Sequence, residues 1–238
     1  MKILSLECSA GPASAAVLED GNVLAHSYIN RKITHSQTLL PMVSEVLSRT
    51  ETEVFDLDGI AVSAGPGSFT GIRIGISAVK GLAAPNGLPC VGVSTLSCMA
   101  ENLRGFDGIV CAVMDARCNQ VYNALFRVEN GVITRLCDDR AVGCEELANE
   151  LQAKHYELPI YLVGDGAKLF YRFSENIDGV RLCREPLLYQ NAVGVGLAAL
   201  PDFKNGKTVS ADKLLPIYLR LSQAERELKK KQQEGISL

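Results

Sequence analysis

Ser63-Ala64-Gly65-Pro66-Gly67-Ser68-Phe69-Thr70-Gly71-Ile72-Arg73-Ile74-Gly75-Ile76-Ser77-Ala78-Val79-Lys80-Gly81-Leu82-Ala83 is the stretch around which the rest of this chain is organised. Before it, Gly59-Ile60-Ala61-Val62-Ser63 is a short apolar run of the kind that forms a buried strand. Gly65-Pro66-Gly67 then forces a turn, because glycine tolerates positive φ while proline fixes its own φ and withholds an N–H. Ser68 or Thr70 can cap a helix that runs to Ala83, roughly fifteen residues. Gly71, Gly75 and Ala78 lie a turn apart along one strip of that helix. Interior glycines cost a helix about 1 kcal/mol each relative to alanine. Close approach of another backbone, in this chain or in a partner, is the expected compensation.

A strand, a glycine turn and a helix N-terminus can also cradle a phosphate. Two features count against that here. No Lys-Ser or Lys-Thr closes the loop, and the glycine spacing is not G-x-G-x-x-G. Tight packing is the preferred reading, with anion binding as the alternative.

The chain has 238 residues, enough for one large domain or two small ones with real cores. A net charge of -3 argues against an autonomous nucleic-acid binder, which would carry a basic face. No apolar run approaches the roughly 20 residues needed to cross a bilayer. Met1-Lys2 leads directly into a strand of mixed polarity, without the layout of a signal peptide, so a cytoplasmic location is expected. The 8 cysteines contain no C-x-x-C pair and mostly sit in apolar runs, such as Pro89-Cys90-Val91, where a free thiol behaves as a small hydrophobe.

Around the central stretch the element order is legible. Ile3–Cys8, Ser14–Leu18 and Val23–Ile29 read as three strands, with Asp20-Gly21 in the second hairpin. From Thr34 to about Leu47 apolar residues recur at helical spacing, with Pro41 either in the first turn or at a kink. After the central strand and helix come a strand near Cys90–Val93 and a helix from about Thr95 to Leu103. The order then restarts: strands at Ile109–Asp115, Val121–Arg127 and Val132–Cys137, a helix at Glu145–Lys154 and a strand at Ile160–Val163. Asn191–Leu200 reads as a helix, Pro201–Asp212 as a loop, Leu214–Arg220 as a compact apolar element and Ser222–Gln233 as a charged, solvated helix. Two β-β-β-α-β-α halves facing each other define the α/β fold of the actin, hexokinase and Hsp70 class. The expected division is an N-terminal lobe over 1–104, a C-terminal lobe over 105–220 and a charged tail over 221–238.

Actin-like folds that use ATP hold its phosphates in two hairpin loops offering aspartate and glycine. Here the first strand ends in Glu7-Cys8-Ser9, a methylene longer than aspartate, and the second loop is Asp115-Ala116-Arg117-Cys118-Asn119, without a glycine. Gly164, Asp165 and Gly166 occupy the place of an adenosine loop and are the candidate cofactor-binding residues, with a plain strand-to-helix turn as the equal alternative. The 3 histidines, at 26, 35 and 155, have no second histidine at helical spacing. No catalytic residue and no metal ligand is assigned, and steady ATP hydrolysis by this chain alone is not expected.

At the central stretch, Ala64 to Gly75 closely resembles the signature of the bacterial TsaB proteins, also called YeaZ. Thr34-His35-Ser36-Gln37-Thr38-Leu39-Leu40-Pro41-Met42, Gly92-Val93-Ser94-Thr95-Leu96, Asp115-Ala116-Arg117 and Pro216-Ile217-Tyr218-Leu219-Arg220 extend the resemblance in the same order. It implies an actin-like fold and a paralogue of the catalytic subunit TsaD. In TsaD the segment aligned with Gly92–Met99 carries a His-x-x-x-His metal pair; this sequence has Thr95 and Met99 there. The resemblance therefore implies a non-catalytic subunit that binds a TsaD-like partner and, with it, a TsaE-like ATPase. Together they support transfer of threonylcarbamoyl to the adenosine next to the anticodon of certain tRNAs. It implies no tightly bound cofactor, ATP only within the assembled complex, tRNA reached only indirectly, and a homodimer as a second assembly state. The competing reading is an actin-fold ATP-dependent enzyme, or a glycoprotease-like peptidase, with its own active site.

The glycine strip and the resemblance together place a partner surface on the helix beginning at His35 and on the helix Thr70–Ala83. Its expected residues are His35, Leu39, Val43, Phe69, Gly71, Ile72, Gly75 and Val79. The first helix has more apolar positions than a single core-facing stripe needs, and Val43 is read as one that faces outwards. The alternative is that all of them pack inside one lobe.

Overall fold

The structure is a computed structural model that describes residues 1–31, 33–185 and 187–220; the expected charged helix at Ser222–Gln233 lies outside the described residues. The first half of the chain forms β1 (Lys2–Glu7), β2 (Ala13–Glu19), β3 (Asn22–Ile29), α1 (His35–Arg49), β4 (Gly59–Gly65), α2 (Phe69–Ala83) and β5 (Cys90–Ser94). Their sheet order is β3-β2-β1-β4-β5, with β1 antiparallel to β2 and parallel to β4. After α3 (Thr95–Glu101) come β6 (Gly108–Asp115), β7 (Gln120–Glu129), β8 (Val132–Arg135), β9 (Arg140–Gly143), α4 (Cys144–Lys154), β10 (Ile160–Val163), α5 (Ala167–Ser174), β11 (Val180–Leu182) and α6 (Ala192–Lys204). The second sheet runs β11-β10-β6-β7-β8, with β9 also on β7. Both sheets thus follow one order, fifth strand, fourth, first, second, third, as the actin-like expectation requires.

Both faces of β1 and β4 are covered, which is why these strands read as nearly continuous apolar runs. On one face, Leu4, Leu6, Val17, Ile60 and Val62 pack against Leu39, Val43 and Val46 of α1 and Ile72, Ile76 and Val79 of α2. On the other, Ile3, Leu18, Ala61 and Val91 meet Val195, Ala199, Leu200 and Phe203 of α6. Although α6 follows the second sheet in sequence, it packs on the first. The second sheet carries α4 and α5 on its outer face, through Leu147, Leu151 and Phe170. Its inner face packs on Leu96, Met99 and Leu103, in and just beyond α3. The central layer between the sheets is therefore α3 and α6.

The strands β9 and β11 went unread in the sequence, and α5 was anticipated only as the helix after a strand-to-helix turn, without bounds. The helix expected to stop at Leu200 runs through Pro201 to Lys204, because its last turn buries Phe203 against the first sheet. Pro41 sits inside α1, not at its first turn. Ser68 caps α2, its hydroxyl accepting from the Gly71 N–H at 3.3 Å, so the helix begins at Phe69.

The glycine strip of α2 is used within the chain. A Cβ at Gly71 would land on the carbonyl oxygen of Cys8, and one at Gly75 would lie 2.9 Å from the Cys8 sulfur. Gly71→Ala is therefore expected to cost about 1–3 kcal/mol through overpacking, lowering the melting temperature by about 2–4 °C per kcal/mol for a chain of this size. At Gly81, in the same helix, a Cβ would meet nothing within 4 Å, and Gly81→Ala should stabilise by about 0.5–1 kcal/mol. Thermal unfolding of the two variants tests the pair, and equal shifts would refute the packing argument.

Candidate functional site

Two hollows meet at the first turn of α2, one on each side of Phe69. The turn that aims the helix depends on Gly67, whose φ of +155° lies where glycine is favoured. A Cβ at that position would strike the Ser9 carbonyl oxygen. The next residue fixes the contact: the Ser68 N–H donates to Ser9 O at 2.6 Å. Cys8 adds a third tie, its thiol donating to Gly71 O at 3.1 Å. Burial pushes that thiol well above the usual range, so it serves as a packing group.

The first hollow is an open groove of about 590 Å³ between α1 and α2. Leu39, Leu40, Phe69, Ile74 and Ala78 give it an apolar lining, with His35, Thr70, Arg73 and Ser77 among its polar groups. Leu39 forms its floor and is itself buried, whereas Leu40 is 50 % exposed. At one end Phe69 stacks on Tyr218, ring centroids 4.4 Å apart and planes at 19°. Arg73 Nε donates to the Tyr218 hydroxyl at 2.8 Å.

The second hollow is the cleft between the lobes, about 390 Å³, lined by Ser9, Gly67, Phe69, Asp115, Arg117, Tyr122 and Asp165 among others. Its two loops lie where the sequence reading expects the phosphate loops of ATP-using actin folds. The first loop is already capped by Gly67 and Ser68. The second closes through Arg117, Cys118 and Asn119, all left-handed at φ 69°, 55° and 55°, and Asp115 Oδ1 accepts from the Arg117 N–H at 2.8 Å. Asp115 and Asp165 line it side by side, at the ends of the adjacent strands β6 and β10. Asp165 is open to the cleft but ringed by protein elsewhere; that enclosure first, then the charges of Asp115 and Glu7, pushes its carboxyl up to about 6. Gly164 and Gly166 pack against β6: a Cβ at Gly166 would lie 2.8 Å from Asp115 N, and one at Gly164 would land on Val113 O. Of the two alternatives for Gly164-Asp165-Gly166, the strand-to-helix turn into α5 accounts for both glycines.

The expected partner residues separate into two groups. His35 and Phe69 reach the groove, both half-buried. His35 is partly committed inside, its Nε2 lying 2.6 Å from Ala10 O and its ring edge against Gly71. Val43, Gly71, Ile72, Gly75 and Val79 are buried in the first lobe and present nothing outward, and Leu39 contributes only the groove floor. Val43, read as outward, is 3 % exposed because α1 turns that side into the core of the first lobe. Leu40, Arg73 and Ile74 line the groove but were missed in the sequence, whereas Ala78, noticed there on the glycine strip, was not placed on this surface.

Comparison with known proteins gives a consistent picture. Residues 22–227 match the family model described as TsaD, tRNA N6-adenosine threonylcarbamoyltransferase. The Bacillus subtilis (strain 168) tRNA threonylcarbamoyladenosine biosynthesis protein TsaB is 32% identical over 94% of this chain and 96% of its own. The Escherichia coli (strain K12) protein of the same name is 33% identical, over 96% and 98%. Among solved structures, YeaZ from Pseudomonas aeruginosa superposes with a TM-score of 0.79 at 27% identity, covering 92% of this chain and 99% of that one. Among the described residues no helix is long and apolar enough to cross a membrane.

Glu7 gives the interlobe region a pH signature. The side chain is fully buried; Oε1 accepts from the Ser9 N–H and hydroxyl, at 2.5 and 2.6 Å, while Oε2 has no hydrogen-bond partner among the described residues. Burial outweighs these bonds and the nearby Ser63 hydroxyl, and raises the carboxyl above its ordinary 4.5. A raised acid holds its proton more tightly in the folded state, so its contribution to stability is complete below pH 4.5 and is lost as pH rises through the folded value. Asp165 acts with the same sign between 3.8 and about 6. Glu7→Gln mimics the neutral acid. Its stability relative to the unmutated chain should grow with pH above 4.5, by up to about 1.4 kcal/mol per pH unit inside the window. Denaturant unfolding of both chains at pH 5 and pH 8 measures it, and a difference that shrinks with pH would reverse the assignment.

Proposed function

The chain belongs to the TsaB/YeaZ family of tRNA threonylcarbamoyladenosine biosynthesis proteins, and from that premise we propose that it serves this pathway, in the cytoplasm, as a non-catalytic subunit. Its partner in this reading is a TsaD-like threonylcarbamoyltransferase, docked on the groove between α1 and α2. A TsaE-like ATPase joins the pair, and tRNA reaches this chain only through the assembly. A homodimer would use the same groove. The observation that carries the reading is the groove itself: two amphipathic helices bury one face in the first lobe and leave Leu40, Phe69, Ile74 and Ala78 lining an open apolar hollow.

The competing reading, an actin-fold ATP-dependent enzyme or a peptidase, needs a working cleft. Against it stand the self-capped first loop, the second loop without a glycine, and the substitution by Thr95 and Met99 at the positions aligned with the histidine pair of the transferase. Both of those side chains are buried. ATP, in this reading, belongs to the assembled complex.

Leu40→Glu tests the proposal, since Leu40 is 50 % exposed and its replacement leaves the core intact. The variant should keep its melting temperature and yet bind the co-purified TsaD-like subunit at least about tenfold more weakly. Nucleoside mass spectrometry should then find threonylcarbamoyladenosine depleted in cells that carry only this variant. Unchanged binding, or normal modification after complete loss of the protein, would overturn the reading.

A further inference from the structure

We infer that the outward face of residues 214–220 is the second half of the docking surface, covered by the same partner subunit that fills the groove. The inference rests on the partner reading above and extends it to a part of the chain that sits far from both helices in sequence.

The segment is a strap that crosses from one lobe to the other. Leu214 is buried in the core of the first lobe. The Ile217 N–H donates to Ala64 O at 2.7 Å, at the end of β4. Tyr218 lies on Phe69 and Arg73 at the groove's end. Leu219 packs against the inner face of the second sheet, and Arg220 donates to Ala116 O at 2.9 Å. The backbone is thus pinned at each stage. Large apolar side chains nonetheless stay accessible along it: Leu215 is 67 % exposed, Ile217 42 % and the outer side of Tyr218 38 %. Three large apolar side chains within four residues, held on a fixed backbone, form a patch rather than scattered exposure.

Size and charge identify the occupant. Ten residues line the groove, whereas a stable protein interface uses about 20–30 residues a side. The groove alone is too small, and the strap joins it directly, because Phe69 and Arg73 line the groove and also hold Tyr218. The exposed apolar residues Val23, Leu24 and Val132 lie instead on β3 and β8, at sheet edges. A two-fold pair of identical chains would set the patch against itself, bringing the Arg73 at its centre close to its own copy. A different chain that presents a carboxylate or an aromatic face to Arg73 avoids that repulsion. The transferase-like subunit of the preceding reading is that chain.

The test titrates the full-length chain against the purified TsaD-like subunit by calorimetry, with Leu215→Glu, Leu40→Glu and the control Val132→Glu. All three positions are half or more exposed, so the variants should melt with the unmutated chain. Leu215→Ser is the fallback should the glutamate lower the melting temperature. The expected result is a loss of affinity of about tenfold or more for both Leu215→Glu and Leu40→Glu, and no change for Val132→Glu. Unchanged binding by Leu215→Glu beside weakened binding by Leu40→Glu would overturn the strap and leave the groove reading standing. Unchanged binding by both would remove the groove reading as well. If Leu215→Glu only dissolves a dimer of this chain in sedimentation, and binds the transferase normally, the occupant is a second copy and the inference fails.

Discussion

The contact on which this structure depends is the seating of the first turn of α2 on the loop after β1. Two carbonyl oxygens, of Cys8 and Ser9, occupy the space that side chains at Gly71 and Gly67 would need, and the Ser68 N–H donates to one of them. Backbone against backbone at this range fixes the helix in rotation as well as in position. Once α2 is set, its buried stripe of Ile72, Ile76 and Val79 must meet the sheet, and its other side must face α1 and solvent. The groove is a consequence of this rotation. So is the closure of the cleft's first loop, since Gly67 and Ser68, which seat the helix, pack on Ser9.

Much of this was legible in the sequence because the signals there are local and repeated. The strands β1, β2, β4 and β6 are buried on both faces, so their apolar runs are unbroken. Glycines at 21 and 131 mark the β2–β3 and β7–β8 hairpins. The elements left unread or without bounds lack such signals. β11 has only 3 residues and β9 only 4, with an arginine in each, and their strand character comes from pairing with β10 and β7. α5 has 8 residues, too few to establish a period. Pro201 is a fair reason to end a helix on sequence grounds; burial of Phe203 against the first sheet outweighs it.

The groove was harder to read, for a different reason. Small residues at helical spacing reveal that something comes close, without saying which chain it belongs to. Here it is the loop after β1, and Gly71, Gly75, Ile72 and Val79 are therefore interior. Residues that remain outside, Leu40 and Ile74, are ordinary aliphatics whose distinction is purely geometric: they fall off the stripe. Tyr218 could not be connected to Phe69 by any local pattern, since most of the chain separates them and only the path of the strap brings the ring centroids to 4.4 Å.

The separation of inner and outer faces on α2 has a consequence for how such a chain can change. Substitutions on the glycine strip act on the fold, because the neighbours there are the Cys8 carbonyl group at Gly71 and the buried Cys8 and Val62 side chains at Gly75. Leu40 and Ile74 line the groove instead, and Arg73 holds Tyr218 at its end. The two sets lie on the same helices, yet they share few contacts, and distant effects of this kind add. Phe69 and Tyr218 are the exception. Phe69 borders both the groove and the cleft, and Tyr218 ties it to a strap that ends on the second lobe at Ala116. The stacked rings of Phe69 and Tyr218 thus join the groove, the cleft and the strap in one continuous contact.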